Sequence, residues 1–345
     1  MSLATLIADA VGMRKRCVSA DVEGGFPDVA SAPPDTRRLI RNRRYCRVLA
    51  SESAMPFDDV SLACAWKAVE HEMALVPGGE IRLVNDIAIT TGNGLELATN
   101  PDDLITVDSL YLDRDCVTNA DYAKFVQSDG YSNPHHWPEE VLANVLQFVD
   151  STGHPAPQHW SQGNPPADKL DHPVVGICWY EANAYATWVG KRLPTPDEWQ
   201  RAGTWPKGQS GDGTELRYPW GNAFDPSKAN TWANGTGDTL PVRSLSAGNT
   251  PNGVRQLVGN VWEWVDAQFY PNAESGVSIL LDQTMGEIRG GAFDTYFHSQ
   301  ATCQFRTGQP LLFRGLNVGF RCCVSANSLP VPADPQTLVS DRVNA

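Results

Sequence analysis

One short stretch of the chain, Asn252–Trp264, places two indoles on either side of a single carboxylate directly after a glycine turn. Successive side chains of an extended segment point to opposite faces, so Trp262 and Trp264 share one face and Glu263 takes the other. A carboxylate among large aromatic rings is costly unless a cation or several polar donors hold it. We therefore expect a buried strand whose Glu263 is held by an ion, an arginine or backbone N–H groups, with an exposed strand end as the alternative.

The composition indicates a globular protein with much irregular structure. Of the 345 residues, 29 are Gly, 25 are Pro and 11 are Trp, which is typical of turn-rich chains with few long helices. The formal net charge of −13 argues against a nucleic-acid partner, because neutralising phosphates needs a basic surface. No apolar run is long enough to span a bilayer, and Leu3–Val11 precedes its basic residues, so neither a membrane segment nor a signal peptide is predicted.

The eight cysteines predict reduced, buried thiols instead of a disulfide scaffold. They are sparse along the chain and none lies in a CxxC pair, which is the pattern of an intracellular protein. Together with the lack of a predicted signal peptide, this favours a cytoplasmic protein.

Residues 1–72 are predicted to form a partly helical N-terminal extension. Helical spacing occurs in three segments: Ser2–Val11, Thr36–Leu49 and Val60–Met73. Residues 1–50 hold nine Lys and Arg against five Asp and Glu, unlike the acidic remainder. The basic residues 14–47 are therefore expected to dock on the acidic body of the chain, with another subunit or an acidic partner as alternatives.

A second region is predicted to begin at residue 73 and to contain short strands. Ala74–Glu80 is expected to turn back into Ile81–Leu83, and Ile105–Asp113 alternates as one half-buried strand. Ile288–Phe293 is predicted as a strand with a double glycine, where backbone approaches closely. Asn317–Val324 is predicted as the terminal strand.

Helices are predicted at Thr118–Gln127, with Thr118 as its N-cap, and at Trp179–Trp188. A third helix is predicted to follow Thr195, because Pro196 suits the first helical position and Glu198 completes a capping box.

Two loops carry groups that bind metal ions in other proteins. Residues 130–160 contain four histidines at irregular spacing, which favours a packed surface loop over a ligand set: His135, His136, His154 and His159. Asn230–Asp238 is rich in the oxygen donors that calcium prefers, although a solvated loop explains the same composition.

Taken in order, these motifs resemble the formylglycine-generating enzyme (sulfatase-modifying factor) family. The similarity covers about residues 73–324 and is carried by Pro77–Gly79, Val117–Phe125, His172–Val175, Lys191–Trp199, Tyr218–Gly221, Gly259–Trp264, Arg289–Gly291 and Asn317–Arg321. The resemblance implies an α+β fold, a variant of the C-type-lectin fold with small twisted sheets and much irregular chain. A flexible tail is expected over residues 325–345.

The resemblance also implies where metals bind in the family, and here the redox-metal ligands are replaced. Copper-dependent members carry two cysteines after the Arg-Gly-Gly strand, because paired thiolates hold Cu(I). The matching positions fall near Asp294, Thr295 and Ser299. Iron-dependent sulfoxide synthases use histidines of an additional N-terminal helical domain, whereas residues 1–70 contain no histidine. A standard formylglycine-generating oxidase is therefore not expected.

A structural calcium ion is expected from the same resemblance. Its ligands would be a side chain before the glycine turn, two backbone carbonyls and the carboxylate between the tryptophans: Gln256, Gly259, Val261 and Glu263. A weaker second site is expected at Asn230 and Asp238.

The favoured hypothesis is a calcium-stabilised binding, sensing or assembly module for another protein or a small ligand. Aromatic and arginine side chains are typical of recognition surfaces, and the predicted surface comprises Tyr296, Phe297, His298, Phe313 and Arg314.

The alternative hypothesis is an oxygen-dependent oxidase or oxygenase with one relocated iron or copper ion. His298, Cys303 and a histidine of the 135–159 loop would be its ligands, and Asp294 or Tyr296 would handle protons. A third possibility is a subunit of a larger assembly that is joined through residues 1–70.

Overall fold

The computed structural model describes residues 30–50, 57–82, 87–91, 94–98, 104–205, 216–270 and 283–330. Its α-helices are α1 (Pro34–Arg41), α2 (Tyr45–Leu49), α3 (Asp59–Glu72), α4 (Asn119–Gln127), α5 (Leu142–Val145), α6 (Trp179–Val189) and α7 (Pro196–Thr204). Its strands are β1 (Met73–Val76), β2 (Gly79–Arg82), β3 (Ile87–Thr91), β4 (Gly94–Ala98), β5 (Leu104–Val107), β6 (Leu110–Asp113), β7 (Trp262–Gln268), β8 (Met285–Arg289), β9 (Arg306–Pro310), β10 (Val318–Phe320) and β11 (Cys323–Ser325).

The strands of the described residues form small sheets joined by long irregular segments. One sheet has the order β10-β7-β8-β9, with β10 parallel to β7 and the other pairs antiparallel. A second sheet has the order β1-β6-β11, and β2 pairs with β5 and β3 with β4. Aromatic side chains of α4 and α6 pack against the β7 and β10 strands in one apolar core, and α7 packs in a second core with β1, β2 and β6.

Four strand predictions need correction. The strand predicted at Ile288–Phe293 is β8, which ends at Arg289 because Gly290 and Gly291 have positive φ. Distant partners decide where the other three strands end. Ala74–Leu83 is not a hairpin, since β1 pairs with β6 and β2 pairs with β5. Arg201 holds the bend between β1 and β2 by donating to the carbonyl oxygens of Pro77 and Gly78. The predicted strand Ile105–Asp113 is β5 and β6, and the predicted strand Asn317–Val324 is β10 and β11, each split between two sheets.

Local capping rules placed the helix starts of the second region correctly. The Thr118 side chain accepts from the Asp121 N–H and begins α4, as predicted. Thr195 and Glu198 form the expected capping box of α7, with Pro196 in its first turn. The predicted helix at Trp179–Trp188 is confirmed as α6, which ends before Gly190 in the left-handed conformation.

The prediction of one helix over Thr36–Leu49 is wrong, because this segment forms two helices, α1 and α2. Arg43, between them, has a φ of 59°. Its guanidinium pairs with Glu72 at 2.8 Å and with Asp121 at 2.9 Å, so the break directs this cation into the body of the molecule. The helix predicted at Val60–Met73 is confirmed as α3.

The N-terminal helices share a core with the second region instead of forming a separate layer. Ile40 and Tyr45 pack with Val69, with Met73 of β1 and with Leu329 near the end of the described chain. The start of the tail predicted over residues 325–345 is wrong, because Ser325 belongs to β11 and Leu329 is buried. Residues 331–345 and the helix predicted at Ser2–Val11 lie outside the described residues.

The cysteine prediction is confirmed for the described part of the chain. Seven cysteines there are free and buried: Cys46, Cys64, Cys116, Cys178, Cys303, Cys322 and Cys323. Cys17 lies outside the described residues.

Candidate functional site

Glu263 lies in β7 and is fully buried, with its carboxylate held by an arginine. Arg321 donates to both carboxylate oxygens at 2.7 Å, to Oε2 from Nε and to Oε1 from Nη2. The indole N–H of Trp199 donates to Oε2 at 2.8 Å, and the Cys116 thiol donates to Oε1 at 3.3 Å. The expectation of a buried, partnered carboxylate is confirmed, with an arginine as the cation out of the three holders considered, and the alternative of an exposed strand end is wrong.

Electrostatics at Glu263 favour a fixed ion pair. Burial works to lower the pKa of Arg321, but the adjacent Glu263 raises it, and the result lies above the ordinary arginine value. Burial and then Glu263 raise the pKa of the Cys116 thiol, which stays protonated. Arg321 also donates to the carbonyl oxygens of Asp113 and Arg255. This group therefore cross-links distant segments of chain.

The oxygen donors expected to hold calcium do not fit that ion. The predicted set comprises Gln256, Gly259, Val261 and Glu263. The side-chain oxygen of Gln256 already accepts from Asn260 Nδ2 at 2.7 Å, and its amide nitrogen faces two backbone carbonyls. Arg321 already supplies the positive charge at Glu263, so a calcium ion at this carboxylate would have to displace a buried guanidinium.

The weaker calcium site, at Asn230 and Asp238, is closed by the chain itself. Asn230 Nδ2 donates to the Asp238 carbonyl oxygen at 2.9 Å, so the loop brings the two residues together. The Asp238 carboxylate, however, pairs with Lys169 Nζ at 2.5 Å. Burial tends to raise the pKa of Asp238, but the Lys169 contact and the Thr239 N–H outweigh it and lower that pKa.

The segment at which the resemblance places paired thiols is a hydrogen-bonded turn. Thr295 is buried, and its hydroxyl oxygen accepts from the Ala292 N–H at 2.8 Å. The Asp294 carboxylate accepts from Asn317 Nδ2 at 2.9 Å, and Ser299 is exposed. These groups do not provide the soft ligands that Cu(I) prefers.

The relocated metal site predicted from His298 and Cys303 is not formed. His298 is exposed, and its ring stacks on Phe224 with centroids 5.4 Å apart. Cys303 is fully buried against Gly203, where an added Cβ would lie 2.4 Å from its sulfur. Across the described ranges, no group of three or more His, Cys, Asp or Glu side chains is arranged to hold a metal ion, and this includes the four histidines of the 135–159 loop.

A cleft of about 350 Å³ lies beside this turn. Its walls are mainly apolar and include Asn119, Trp160, Lys169, Asp238, Phe293 and Leu316. The indole N–H of Trp160 donates to Asn119 Oδ1 at 3.0 Å, while Asn119 Nδ2 donates to the Lys169 carbonyl at 2.8 Å. The start of α4 therefore fixes both the buried indole and the segment that carries the lysine.

The cleft carries little net charge at neutral pH. Lys169 and Asp238 are half-exposed and neutralise each other. Partial burial lowers the pKa of His159, which lines the cleft, and it also lowers the pKa of the nearby His172. Both imidazoles are therefore neutral at pH 7, and His172 Nδ1 lies 2.9 Å from the Thr239 hydroxyl.

Three large exposed rings lie within a few residues in sequence of Phe293 and Gly237, which line the cleft, and we call Trp232, Tyr296 and Phe297 the aromatic face. Their side chains are 60%, 68% and 60% exposed. Ring centroids of Trp232 and Tyr296 lie 6.3 Å apart, and those of Tyr296 and Phe297 lie 5.2 Å apart. The backbone N–H of Trp232 donates to the Thr295 carbonyl oxygen. This bond joins the segment that carries Trp232 to the segment that carries Tyr296 and Phe297.

Of the five residues predicted for a recognition surface, three are exposed and two are not. Tyr296, Phe297 and His298 are exposed as expected. Phe313 is half-buried and packs against the core. Arg314 is a structural clamp, because its guanidinium pairs with the buried Glu181 and donates to two backbone carbonyls.

Sequence reasoning missed most of the cleft. Asn119, Trp160, Lys169 and Thr239 come from separate segments, and their spacing shows no local periodicity. The one sequence signal for the cleft was the high Trp and His content of residues 130–160. That content alone did not predict that His159 and Trp160 line a cleft.

Comparisons with known proteins place the chain among the relatives of one protein family. A family model described as "Sulfatase-modifying factor enzyme 1-like domain" matches residues 62–326. An "Inactive C-alpha-formylglycine-generating enzyme 2" of Bos taurus is 30% identical over 293 residues, which cover 75% of this chain and 89% of that protein. A "Hercynine oxygenase" of Mycolicibacterium smegmatis is 35% identical over 218 residues, covering 61% of this chain and 49% of that protein.

Solved structures are similar at low sequence identity. PvdO from Pseudomonas aeruginosa aligns with a TM-score of 0.49 and 18% identity, covering 73% of this chain and 93% of that chain. The matched region spans about half the length of the hercynine oxygenase.

The described chain has the mixed α+β architecture with long irregular regions that the family resemblance implied. The chain belongs to the sulfatase-modifying factor family, whose model covers most of its length. Its relatives include a "Formylglycine-generating enzyme", an inactive relative and hercynine oxygenases. Among the described residues, no helix is both long and apolar enough to span a bilayer.

Proposed function

We propose that this chain is a non-formylglycine-generating member of the family and acts as a binding module. The observation that carries the proposal is the turn at Asp294 and Thr295, where a hydroxyl tied to the Ala292 N–H replaces a thiol. Every cysteine of the described chain is buried, so none offers an exposed thiolate for copper. The similarity to a protein named as inactive supports the same conclusion.

The cleft and the aromatic face together form the binding surface in this proposal. Ligand sites are concave and mostly apolar with a few placed polar groups, and the cleft has that character, with Lys169 and Asp238 as its ion pair. Rigid aromatic side chains are frequent anchors at protein interfaces. The aromatic face consists of three such rings in mutual contact.

A segment of another protein fits this surface better than a small ligand. A small molecule that fills about 350 Å³ would occupy the cleft and leave the rings of the aromatic face in water. Contiguous exposed apolar patches commonly mark protein interaction sites. A polypeptide that inserts one apolar side chain beside Phe293 would cover both.

Site-specific photo-crosslinking tests this proposal in cells of the source organism. A benzophenone amino acid at position 296 is compared with the same residue at position 60, because Val60 is an exposed apolar side chain of α3. We expect a defined cross-linked partner from position 296 and none from position 60. The partner, once purified, should bind the Tyr296→Ala/Phe297→Ala variant about 30-fold more weakly than wild type, as for an interface hot spot. Unchanged affinity in that variant would overturn the proposed surface.

Two activity measurements address the enzyme alternatives. In the first, a sulfatase-derived cysteine peptide is incubated with the pure protein and cuprous ion. Formation of an aldehyde on that peptide would show that the protein generates formylglycine and would refute the proposal. Stoichiometric iron or copper that is lost in the His298→Ala variant would favour the oxidase hypothesis over the binding module.

A further inference from the structure

One arginine of the N-terminal helices forms ion pairs inside the molecule, and five do not. Arg43 is largely buried and pairs with Glu72 and Asp121. The other five lie on or beside α1 and α2 and form no ion pair within the described ranges: Arg37, Arg38, Arg41, Arg44 and Arg47. We call the last four of these the basic strip. Pairing with the molecule's own carboxylates thus accounts for a single cation of the described helices.

Two guanidinium groups of the basic strip lie side by side at the end of α6. Arg44 Nε and Arg47 Nε both donate to the Trp188 carbonyl oxygen, at 3.0 and 2.9 Å, and Arg47 also donates to the Thr187 carbonyl. The last carbonyls of a helix carry partial negative charge, but no carboxylate separates the two cations. Within the described chain, the terminal nitrogens of Arg44 have no partner.

The neighbouring groups do not cancel this charge. Burial, followed by the proximity of Arg47 and Arg38, lowers the pKa of Arg44, which indicates that the three cations are close together. Burial, followed by the proximity of Arg47 and Arg44, lowers the pKa of His136, so its imidazole is neutral at pH 7. Asp35, one turn before Arg38, makes no ion pair among the described residues. A positive surface therefore persists on a chain of net charge −13.

We propose that the basic strip binds an acidic segment of a partner polypeptide. Its cations spread along two consecutive helices, with Arg38 and Arg41 one helical turn apart, which suits a row of carboxylates better than a single ion. Guanidinium groups bind carboxylates through paired hydrogen bonds, and Arg44 keeps terminal N–H groups for that purpose. Like-charge repulsion between Arg44 and Arg47 is relieved when such an anion binds.

Nucleic acid fits the basic strip less well. Binding to single strands relies on exposed aromatic rings that stack on bases. The ring closest to Arg44 is Trp188, which is 2% exposed and lies 5.1 Å beneath that guanidinium. The acidic remainder of the molecule would also repel a long phosphate backbone.

The test measures binding of a fluorescein-labelled decaglutamate peptide to the full chain by fluorescence anisotropy. The Arg38→Glu/Arg41→Glu variant should bind at least about tenfold more weakly than wild type, because each reversal turns an attraction into a repulsion. Both side chains are exposed, so the melting temperature should not change. The matched control is Lys67→Glu on the exposed side of α3, which should change affinity less than about twofold.

Three outcomes would overturn the proposal. The first is a peptide affinity that is the same in the double variant and in wild type. The second is an equal loss in Lys67→Glu, which would show a general charge effect. The third is displacement of the peptide by a single-stranded oligonucleotide at lower concentration than by unlabelled decaglutamate. The Tyr296→Ala/Phe297→Ala variant should bind the peptide as wild type does. That result would show that the basic strip binds independently of the aromatic face.

Discussion

The substitution Glu263→Gln tests whether the central strand depends on its buried ion pair. Glutamine has nearly the same shape as glutamate but carries no charge. Arg321 would keep its positive charge at 0% exposure with no counterion. The indole N–H of Trp199 and the second guanidinium contact would compete for the remaining amide oxygen.

The expected loss of unfolding free energy follows from these contacts. A hydrogen bond to a charged group contributes about 1.5–3 kcal/mol, and removing one partner of a buried pair typically costs about 3–5 kcal/mol. Because glutamine still offers one acceptor, we expect Glu263→Gln to cost about 3–4 kcal/mol. The double variant Glu263→Gln/Arg321→Met should lose at least about 1 kcal/mol less than the sum of the two single variants, because it leaves no lone charge.

Equilibrium unfolding in urea, followed by tryptophan fluorescence, measures these free energies. Glu70→Gln is the matched control, since it makes the same chemical change on the exposed side of α3 and should leave the midpoint unchanged. A midpoint for Glu263→Gln that equals that of Glu70→Gln would refute the reasoning. Strictly additive single variants would show that the pair is not coupled.

Four further predictions concern other parts of the molecule. Gly290→Ala should cost about 2 kcal/mol more than Gly235→Ala in urea unfolding, because both glycines have positive φ but only at 290 would the new Cβ meet a backbone oxygen, that of Leu257 at 2.4 Å. Burial tends to raise the pKa of Asp150, but backbone and hydroxyl donors lower it from 3.8 to about 2. Its contribution to stability is therefore present above pH 4 and lost as pH falls towards 2, so wild type and Asp150→Asn should differ in urea midpoint at pH 6 and converge at pH 2. Native protein should react with a thiol reagent at no more than one cysteine, and a Cys17→Ser variant at none, because the seven described cysteines are buried. Chelation with EGTA should leave the melting temperature unchanged, and a fall would restore the calcium hypothesis.

Local chemistry was sufficient to predict several elements from the sequence. Thr118 and Thr195 cap helices through bonds that span three residues, so the pattern that predicts them lies within one helical turn. Glu263 between its two tryptophans was predictable for a similar reason, because the cost of burying a charge is a property of the residue itself. The resemblance of the ordered motifs then supplied the fold.

Distant contacts explain what the sequence did not predict. The strands around Asp108 and Arg321 end where the chain passes from one sheet to another, and those sheets are completed by partners up to about two hundred residues away. The identity of the cation at Glu263 depended in the same way on a residue far along the chain. Arginine is a residue type that is enriched at recognition surfaces. Arg314 nevertheless has a structural role, because it pairs with the buried Glu181.

The order of strands has a consequence for how the protein is made. β10 completes the sheet of β7, β11 completes the sheet of β1 and β6, and Arg321 lies between them. The sheet of β7 cannot close before residue 320 has left the ribosome, and the sheet of β1 and β6 cannot close before residue 325 has done so. Until then the nascent polypeptide carries the carboxylate of Glu263 without Arg321 and two unpaired strand edges, and unpaired edges of this kind favour association with other chains.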